Sequence, residues 1–269
     1  MNLSLLVPAA IPEFTASEAV RWLISLLLDN ALRYLVFAGL AWVLAYDWFY
    51  TKWLRRKVIS QRPESVQVRR EVMRSGIAIL VYSVVSFVTI ALVYRGHGRI
   101  YLDLNEHSKT WSVTSILLAV VLHDTWFYWT HRLMHHRLLF MAVHAVHHQS
   151  TNPTPWASYS FSVPEAFLQA LIFPIVIFVI PIHPLAIAAF LLIQILWNVL
   201  GHTGFEYYPP WFLRTPIGKI MTTPTAHTLH HEFRSGNYGL YFIIWDRLMG
   251  TLRDDYQVRF KAVTDPRRG

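Results

Sequence analysis

The sequence predicts an all-α integral membrane protein, a helical bundle of about four to five spans. Hydrophobic residues make up 54% of its 269 positions and charged residues only 15%, a more apolar balance than soluble domains show. Uncharged runs recur at lengths that cross or nearly cross a bilayer. Three histidine clusters at helical spacing lie beyond the ends of these runs: His131-Arg-Leu-Met-His135, His144-Ala-Val-His147-His148 and His227-Thr-Leu-His230-His231. They give the bundle a cytoplasmic, histidine-rich metal-binding cap.

The elements follow in chain order. The N-terminus lacks the basic start of a signal peptide, and Glu13 and Glu18 precede the first long apolar stretch, so no cleavage is expected. Residues 34–46 are short for a span. Extended back to Trp22, the stretch takes in Asp29 and Arg33, which can pair at i,i+4; the alternative is an amphipathic helix at the interface over residues 15–30. A basic connection follows, with Lys52, Arg55, Arg56, Lys57, Arg62, Arg69, Arg70 and Arg74, and the positive-inside rule assigns it to the cytoplasm. Residues 76–94 run without a charge between Arg74 and Arg95; at ~1.5 Å per residue they nearly cross a ~30 Å hydrocarbon core. Residues 111–130 form a more polar span containing His123 and Asp124, groups that face a bundle interior at such depth. Residues 166–182 and 184–201 form a tight helical hairpin around His183-Pro184, with Pro174 and Pro181 kinking its first arm. Alternation of these spans brings all three clusters, and His202, to the cytoplasmic side.

Composition removes several chemistries. With no cysteine, disulfides, thiolate zinc sites, iron–sulfur ligation and a cysteine nucleophile are excluded. The net charge of +8 fits an anionic membrane surface, given this hydropathy, rather than nucleic acid.

The histidines carry the chemistry. Asp124, Tyr128, His131 and His135 fall at offsets of four, three and four, one stripe of a helix. His144, His147 and His148 share a helical face, as do His227, His230 and His231, and His202 emerges at the same depth. Nine imidazoles exceed what one metal takes, so two metals with four or five ligands each fit better. All-nitrogen ligation suits iron, zinc, copper or nickel. Breaking an unactivated C–H bond of a lipid needs dioxygen and a redox metal, which selects iron over zinc. His97, His107 and His183 read as ordinary surface or core residues, while His123 and His136 adjoin the stripe but point elsewhere. Asp124, Glu165, Glu206, Glu232 and Asp246 are candidates to orient the rings, with helix caps or arginine pairs as the equal alternative.

Other motifs fail. His231-Glu232 begins like a zinc-protease helix, but Ser235 stands where the second histidine belongs. No Glu-x-x-His pair occurs, which excludes the carboxylate-bridged di-iron bundle. There is no Gly-x-Gly-x-x-Gly and no P-loop, and His183-Pro184 lacks the glycines of a haem-binding loop.

The order His-x3-His, His-x2-His-His and a distant His-x2-His-His resembles the fatty acid hydroxylase/sterol desaturase superfamily of membrane non-haem di-iron enzymes. The likeness covers about residues 124–251. It includes Tyr128-Trp129-Thr130-His131-Arg132, Pro164-Glu165, Gly201-His202-Thr203-Gly204, Asn237-Tyr238-Gly239 and Trp245-Asp246-Arg247-Leu248-Met249-Gly250-Thr251. The resemblance implies a four-helix-like membrane base under a cytoplasmic cap. It implies His131, His135, His144, His147, His148, His227, His230 and His231 as ligands of two iron ions, with His202 added, and Asp124, Tyr128, Glu165 and Asp246 behind them. It implies dioxygen as co-substrate and hydroxylation or desaturation of a lipid C–H. The rivals are ether-lipid or aldehyde cleavage on the same site, and a non-enzymatic metal-binding membrane protein. Some relatives carry a fused haem domain; none is seen here, so electrons would come from a separate reductase or ferredoxin-type donor. Trp156, Tyr159, Phe161 and Trp197 are candidate channel walls, with plain packing or an interface belt as the ordinary reading. Three regions result: an N-terminal membrane region over 1–110, a hydroxylase-like region over 111–255 and a basic tail over 256–269. A bacterial inner membrane is the expected location.

Overall fold

The structure, a computed structural model, describes residues 15–267; Glu13 and Arg268 lie outside them. Helix α1 (Ala16–Trp42) starts at a capping box in which the Thr15 side chain accepts from the Glu18 amide at 3.2 Å while the Glu18 carboxylate accepts from the Thr15 amide at 2.9 Å. It runs on through a π-helical stretch, Val43–Trp48. Residues 15–30 therefore belong to one long helix rather than to a separate interfacial one, and Asp29 and Arg33 pair at 2.9 Å. A short α2 (Tyr50–Trp53) opens the basic connection, and α3 (Ser65–Tyr94) follows it.

Helix α4 (Lys109–Met134) is capped by Ser108, whose hydroxyl accepts from the Trp111 amide at 3.1 Å. After the four-residue α5 (Phe140–Val143) comes an irregular stretch to residue 162. The hairpin is present, but its first arm is broken rather than kinked. It consists of α6 (Val163–Ala170) and α7 (Ile172–Val179), because Pro174 offers no N–H to the carbonyl of Ala170. At its tip His183 caps α8 (Pro184–His202), its Nδ1 accepting from the Leu185 amide at 3.1 Å. The chain closes with α9 (Pro224–Phe233), α10 (Ile244–Leu248) and α11 (Tyr256–Thr264). The region read as a basic tail is therefore mostly a helix, held by the buried Tyr256 and Phe260 in a core with Ala226 and Leu229 of α9. No strand occurs among the described residues.

Among the described residues, three helices are long and apolar enough to cross a membrane: Ala16–Trp48, Ser65–Tyr94 and Pro184–His202. Helix α4 has the length, but His123 and Asp124 help lower its hydropathy, and Val163–Val179 is a shorter apolar segment. Leu28, Leu32 and Leu35 line one exposed face of α1, as do Leu117 and Val121 on α4, a surface suited to lipid. Inside, α3 packs on α1 and α6, and α8 on α4. The segment at 154–162 threads between them, with the Trp156 carbonyl accepting from Tyr34 Oη at 2.9 Å and from Ser75 Oγ at 3.1 Å.

Helix ends alternate. Tyr46 Oη donates to the Thr203 carbonyl at 2.9 Å, Lys57 Nζ to Asn152 Oδ1 at 2.9 Å and Arg70 to Gln149 Oε1 at 3.2 Å. The basic connection thus shares one end of the bundle with the histidines. At the other end, the Arg99 amide donates to the Ile177 carbonyl at 2.9 Å and Trp111 Nε1 to that of Pro181, also at 2.9 Å.

Candidate metal centre

Four pieces of chain bring the histidines together. The last turn of α4 supplies His131 and its C-cap His135, and the end of α8 supplies His202. Helix α9 supplies His227, His230 and His231; Thr223 caps it, with Pro224 in its first turn. The middle cluster is not on a regular helix. Helix α5 stops at Val143, whose carbonyl accepts from Ser162 Oγ, and His147–Gln149 is a 3-10 turn.

All nine converge, in two sets. The ligand nitrogens of His131, His135, His144, His148 and His230 lie within 4.8 Å of one another, and so do those of His147, His202, His227 and His231. Each His-x2-His-His cluster is split between the sets. His144 and His148 go to the first and His147 to the second; His227 and His231 go to the second and His230 to the first. Residues four apart stay together, while the one between them, rotated about 100° from its neighbour in the helix of α9, faces the other set.

Eight of the nine rings are buried and His135 is half-buried, surroundings that favour the neutral imidazole. Burial, with neighbouring imidazoles adding to it, holds His144, His147, His227, His230 and His231 well below the usual histidine range. Burial likewise takes His135 down to about 4 and His148 to about 2. Five rings have an oxygen acceptor at Nδ1: the carbonyls of Tyr238 for His131 (2.9 Å), Ser160 for His147 (3.3 Å), Asn198 for His202 (2.7 Å) and Gly236 for His230 (2.7 Å), and Glu165 Oε1 for His144 (2.7 Å). A proton at Nδ1 leaves the lone pair on Nε2. Yet the Nε2 atoms of His147 and His202 stand 3.4 Å apart, and those of His202 and His227 2.9 Å apart. His135 Nε2 faces His230 Nε2 at 3.2 Å and His148 Nε2 at 3.1 Å. His131 Nε2, His144 Nε2 and both nitrogens of His231 have no partner among the described residues. Facing lone pairs and orphaned nitrogens in a buried site call for cations between them, and neutral imidazole is a ligand of first-row metals. The residues fit two such ions.

Of the four supporting residues read from the sequence, only Glu165 touches a ring. Asp124 Oδ1 instead accepts the amides of Tyr241 (2.8 Å) and Phe242 (3.1 Å). Asp246 accepts those of Tyr238 and Gly239, both at 2.9 Å, and Thr251 Oγ1 at 2.7 Å. Tyr128 Oη bonds Thr251 Oγ1 at 2.9 Å. They miss the rings because the loop over residues 238–251 takes their oxygens, and only Asp246 bonds a segment that itself holds a ring. Asp246 accepts the N–H of the very peptide whose carbonyl, that of Tyr238, holds His131. Gly239 is needed there, since a Cβ would fall 2.0 Å from the Phe242 carbonyl oxygen. Glu206 accepts the amide and hydroxyl of Thr225 at the start of α9 (3.1 and 2.7 Å), and Glu232 pairs with Arg259 at 3.3 Å. The carbonyls of Ser160, Asn198, Gly236 and Tyr238 escape a sequence reading, because a backbone acceptor leaves no residue-type signal. His123 bonds Tyr241 Oη at 2.9 Å, and His136 lies outside both sets.

Residues 116–251 match the family described as "Fatty acid hydroxylase". The chain belongs to the fatty acid hydroxylase family. A Delta(7)-sterol 5(6)-desaturase of Gibberella zeae is 30% identical to this family member over 224 residues, covering 83% of this chain and 65% of the relative. Lathosterol oxidase of Homo sapiens is 32% identical over 190 residues, 70% of this chain and 62% of the relative. That of Mus musculus is 30% identical over 250 residues, 91% and 79% of the two. The chain thus spans slightly less than two thirds of the length of the first two. No solved structure matches this family member.

Proposed function

We propose that the chain is a membrane oxidoreductase that removes two hydrogens from adjacent carbons of a ring lipid of the sterol kind. Hydroxylation is the sister outcome when only one hydrogen leaves and oxygen is transferred. In desaturation, one dioxygen, two electrons and two protons combine with the two hydrogens removed to leave two waters. The observation that carries the reading is the pair of buried imidazole sets at one end of a membrane bundle. The names of the curated relatives favour desaturation of a sterol. Residues His131, His135, His144, His148 and His230 would hold one iron, and His147, His202, His227 and His231 the other. Bound iron would supply the dioxygen and electron chemistry that zinc does not.

The chain's own residues prepare the site. The carbonyls of Tyr238, Ser160, Asn198 and Gly236 fix ring orientation and keep each proton on Nδ1. The Glu165 carboxylate does so for His144. Phe127 and Phe161 lie with ring centroids 5.0 Å and 4.9 Å from His131 and His147, screening the rings from water on that side. Because the basic connection lies at the histidine end, the centre would sit on the cytoplasmic side, in a bacterial inner membrane. There a separate reductase or ferredoxin-type donor would deliver electrons.

The test is mass spectrometry of host-membrane lipids, supplemented with Δ7-sterol and an electron donor, comparing the native chain with His147→Ala plus His148→Ala. A histidine-dependent product lighter by two hydrogens is expected. One heavier by an oxygen means hydroxylation, and a split chain means cleavage. No histidine-dependent product, with iron bound and electrons supplied, overturns the reading.

A further inference from the structure

A cavity lies inside the bundle, below the histidines. Its upper wall includes Phe127 and Phe161, the two rings that touch His131 and His147. Its remaining lining, from α1, α3, α4, α6, α7 and α8, is mixed. It is apolar at Phe173, Phe190 and Leu191 but polar at Gln169, Gln194 and the Asp29–Arg33 pair. Polar and charged side chains at membrane depth are expensive and mark sites that use them.

Two of these amides are left open. Gln169 is only 8% exposed, yet its amide has no partner among the described residues. Gln194 Oε1 receives one long bond, from Tyr159 Oη at 3.4 Å, and its NH2 donates to nothing among the described residues. Arg33, by contrast, is engaged: Nε reaches Asp29 Oδ2 at 3.0 Å and Nη2 reaches Asn30 Oδ1 at 2.8 Å. The pair braces the wall, while the two glutamines face the cavity unsatisfied. Gln169 is buried and Gln194 half-buried, and an unpaired amide so placed costs free energy unless a ligand or water completes it.

The depth of this polar belt follows from helix rise. Gln194 precedes His202 by two turns of α8, about 12 Å, and Gln169 follows Glu165, the partner of His144, by one turn of α6, about 6 Å. The cavity holds about 110 Å³, less than a cavity of ~150 Å³ that accommodates a benzene. That is room for a hydroxyl and part of the ring or chain that bears it, with the rest of the molecule remaining among the helices or in the bilayer.

We propose that Gln169 and Gln194 form a hydroxyl-recognising clamp, so that the substrate is a lipid alcohol held by its own head. The amide NH2 groups donate to the hydroxyl oxygen, and a glutamine carbonyl accepts its proton. This rests on the reading of the chain as a lipid oxidoreductase and adds which end of the lipid enters. The reacting carbon then lies within a few bonds of the hydroxyl, between the belt and the histidines, rather than far down an alkyl tail.

The experiment is ligand binding to the full-length chain in phospholipid nanodiscs, read by displacement of a fluorescent sterol and requiring no turnover. Cholestanol and cholestane are the probes, one skeleton with and without its hydroxyl. The ratio of their affinities within one preparation is insensitive to any misfolded fraction. The native chain should prefer the alcohol by about tenfold or more, since a site built to bond a hydroxyl leaves its polar groups unpaired with the hydrocarbon. Gln194→Leu should bring the ratio to within about twofold of unity, and Gln169→Leu should lower it too, with cholestane binding kept or improved. A native ratio near one overturns the clamp, as does a ratio unchanged in both variants. Preference for the alcohol without any lipid turnover keeps the clamp and counts against the oxidoreductase reading alone.

Discussion

Glu165→Gln separates the two histidine sets. The carboxylate is fully buried, and one oxygen accepts His144 Nδ1–H at 2.7 Å while the other has no partner. An amide of the same shape can still accept that proton, so the ring keeps its tautomer, but it cannot carry the negative charge that a bound cation would stabilise on the carboxylate and that makes Nε2 more basic. Partners of this kind weigh about 10- to 100-fold in metal affinity, or about 1.4–2.7 kcal/mol. The amide NH2 takes the place of an oxygen that itself has no partner among the described residues, so the exchange leaves no additional polar group unpaired. His144 belongs to the five-membered set alone. Competition against a chromophoric chelator, with metal counted by mass spectrometry, should show one of two bound ions weakened 10- to 100-fold and the other held as in the native chain. Equal weakening of both ions, or of neither, would refute the division of the nine rings into two sets.

Other outcomes follow from single contacts. Gly239→Ala should lower the thermal midpoint and release iron, because its Cβ would meet the Phe242 carbonyl at 2.0 Å and Asp246 Oδ2 at 3.0 Å, overpacking that costs about 1–3 kcal/mol or more. Zinc should load to the same stoichiometry as iron while supporting no dioxygen consumption, as measured with an oxygen electrode. Lys57 predicts a pH dependence. Fully buried, with Asn152 Oδ1 as its partner, it is pushed down by burial to about 8 from 10.5. Between those values the unfolded chain holds the extra proton, so stability rises with pH, by up to about 3 kcal/mol across the window. Heat inactivation in detergent should therefore slow from pH 7.5 to 9.5, below the range where tyrosines ionise, and Lys57→Met should flatten that trend; a flat or falling native profile contradicts the assignment.

The parts of this fold legible in its sequence are those fixed by local period and charge. Arg74 and Arg95 bracket the uncharged run of α3, and the eight basic residues from Lys52 to Arg74 mark the end where the histidines gather. The i,i+4 spacing pairs His131 with His135 on α4 and His227 with His231 on α9, since helix geometry puts such residues on one face. The sorting of His147 and His230 away from their neighbours was not legible, because it depends on how the 3-10 turn at His147–Gln149 and helix α9 face each other. Asp124 and Asp246 have the composition of ring partners, yet their oxygens are taken by backbone amides of a loop over 100 residues away in one case and eight or fewer in the other. Tyr256 and Phe260 turn an apparently basic tail into a packed helix; two aromatics four residues apart were the signal that net charge concealed.

The crossing of the two His-x2-His-His clusters makes the site behave as a joint. Helix α9 and the 144–148 segment each reach into both halves, so two ions would rivet the same pair of segments at two points and stop one from rotating on the other. Trimming a side chain loosens one rivet. Sliding α9 by a single position would open both at once, so with ions bound register in this part of the chain would be locked by coordination chemistry as much as by packing. A chelator should then free α9 and the 144–148 segment in one cooperative step, visible as a single transition in the rate at which a protease nicks the end of the bundle that carries the histidines.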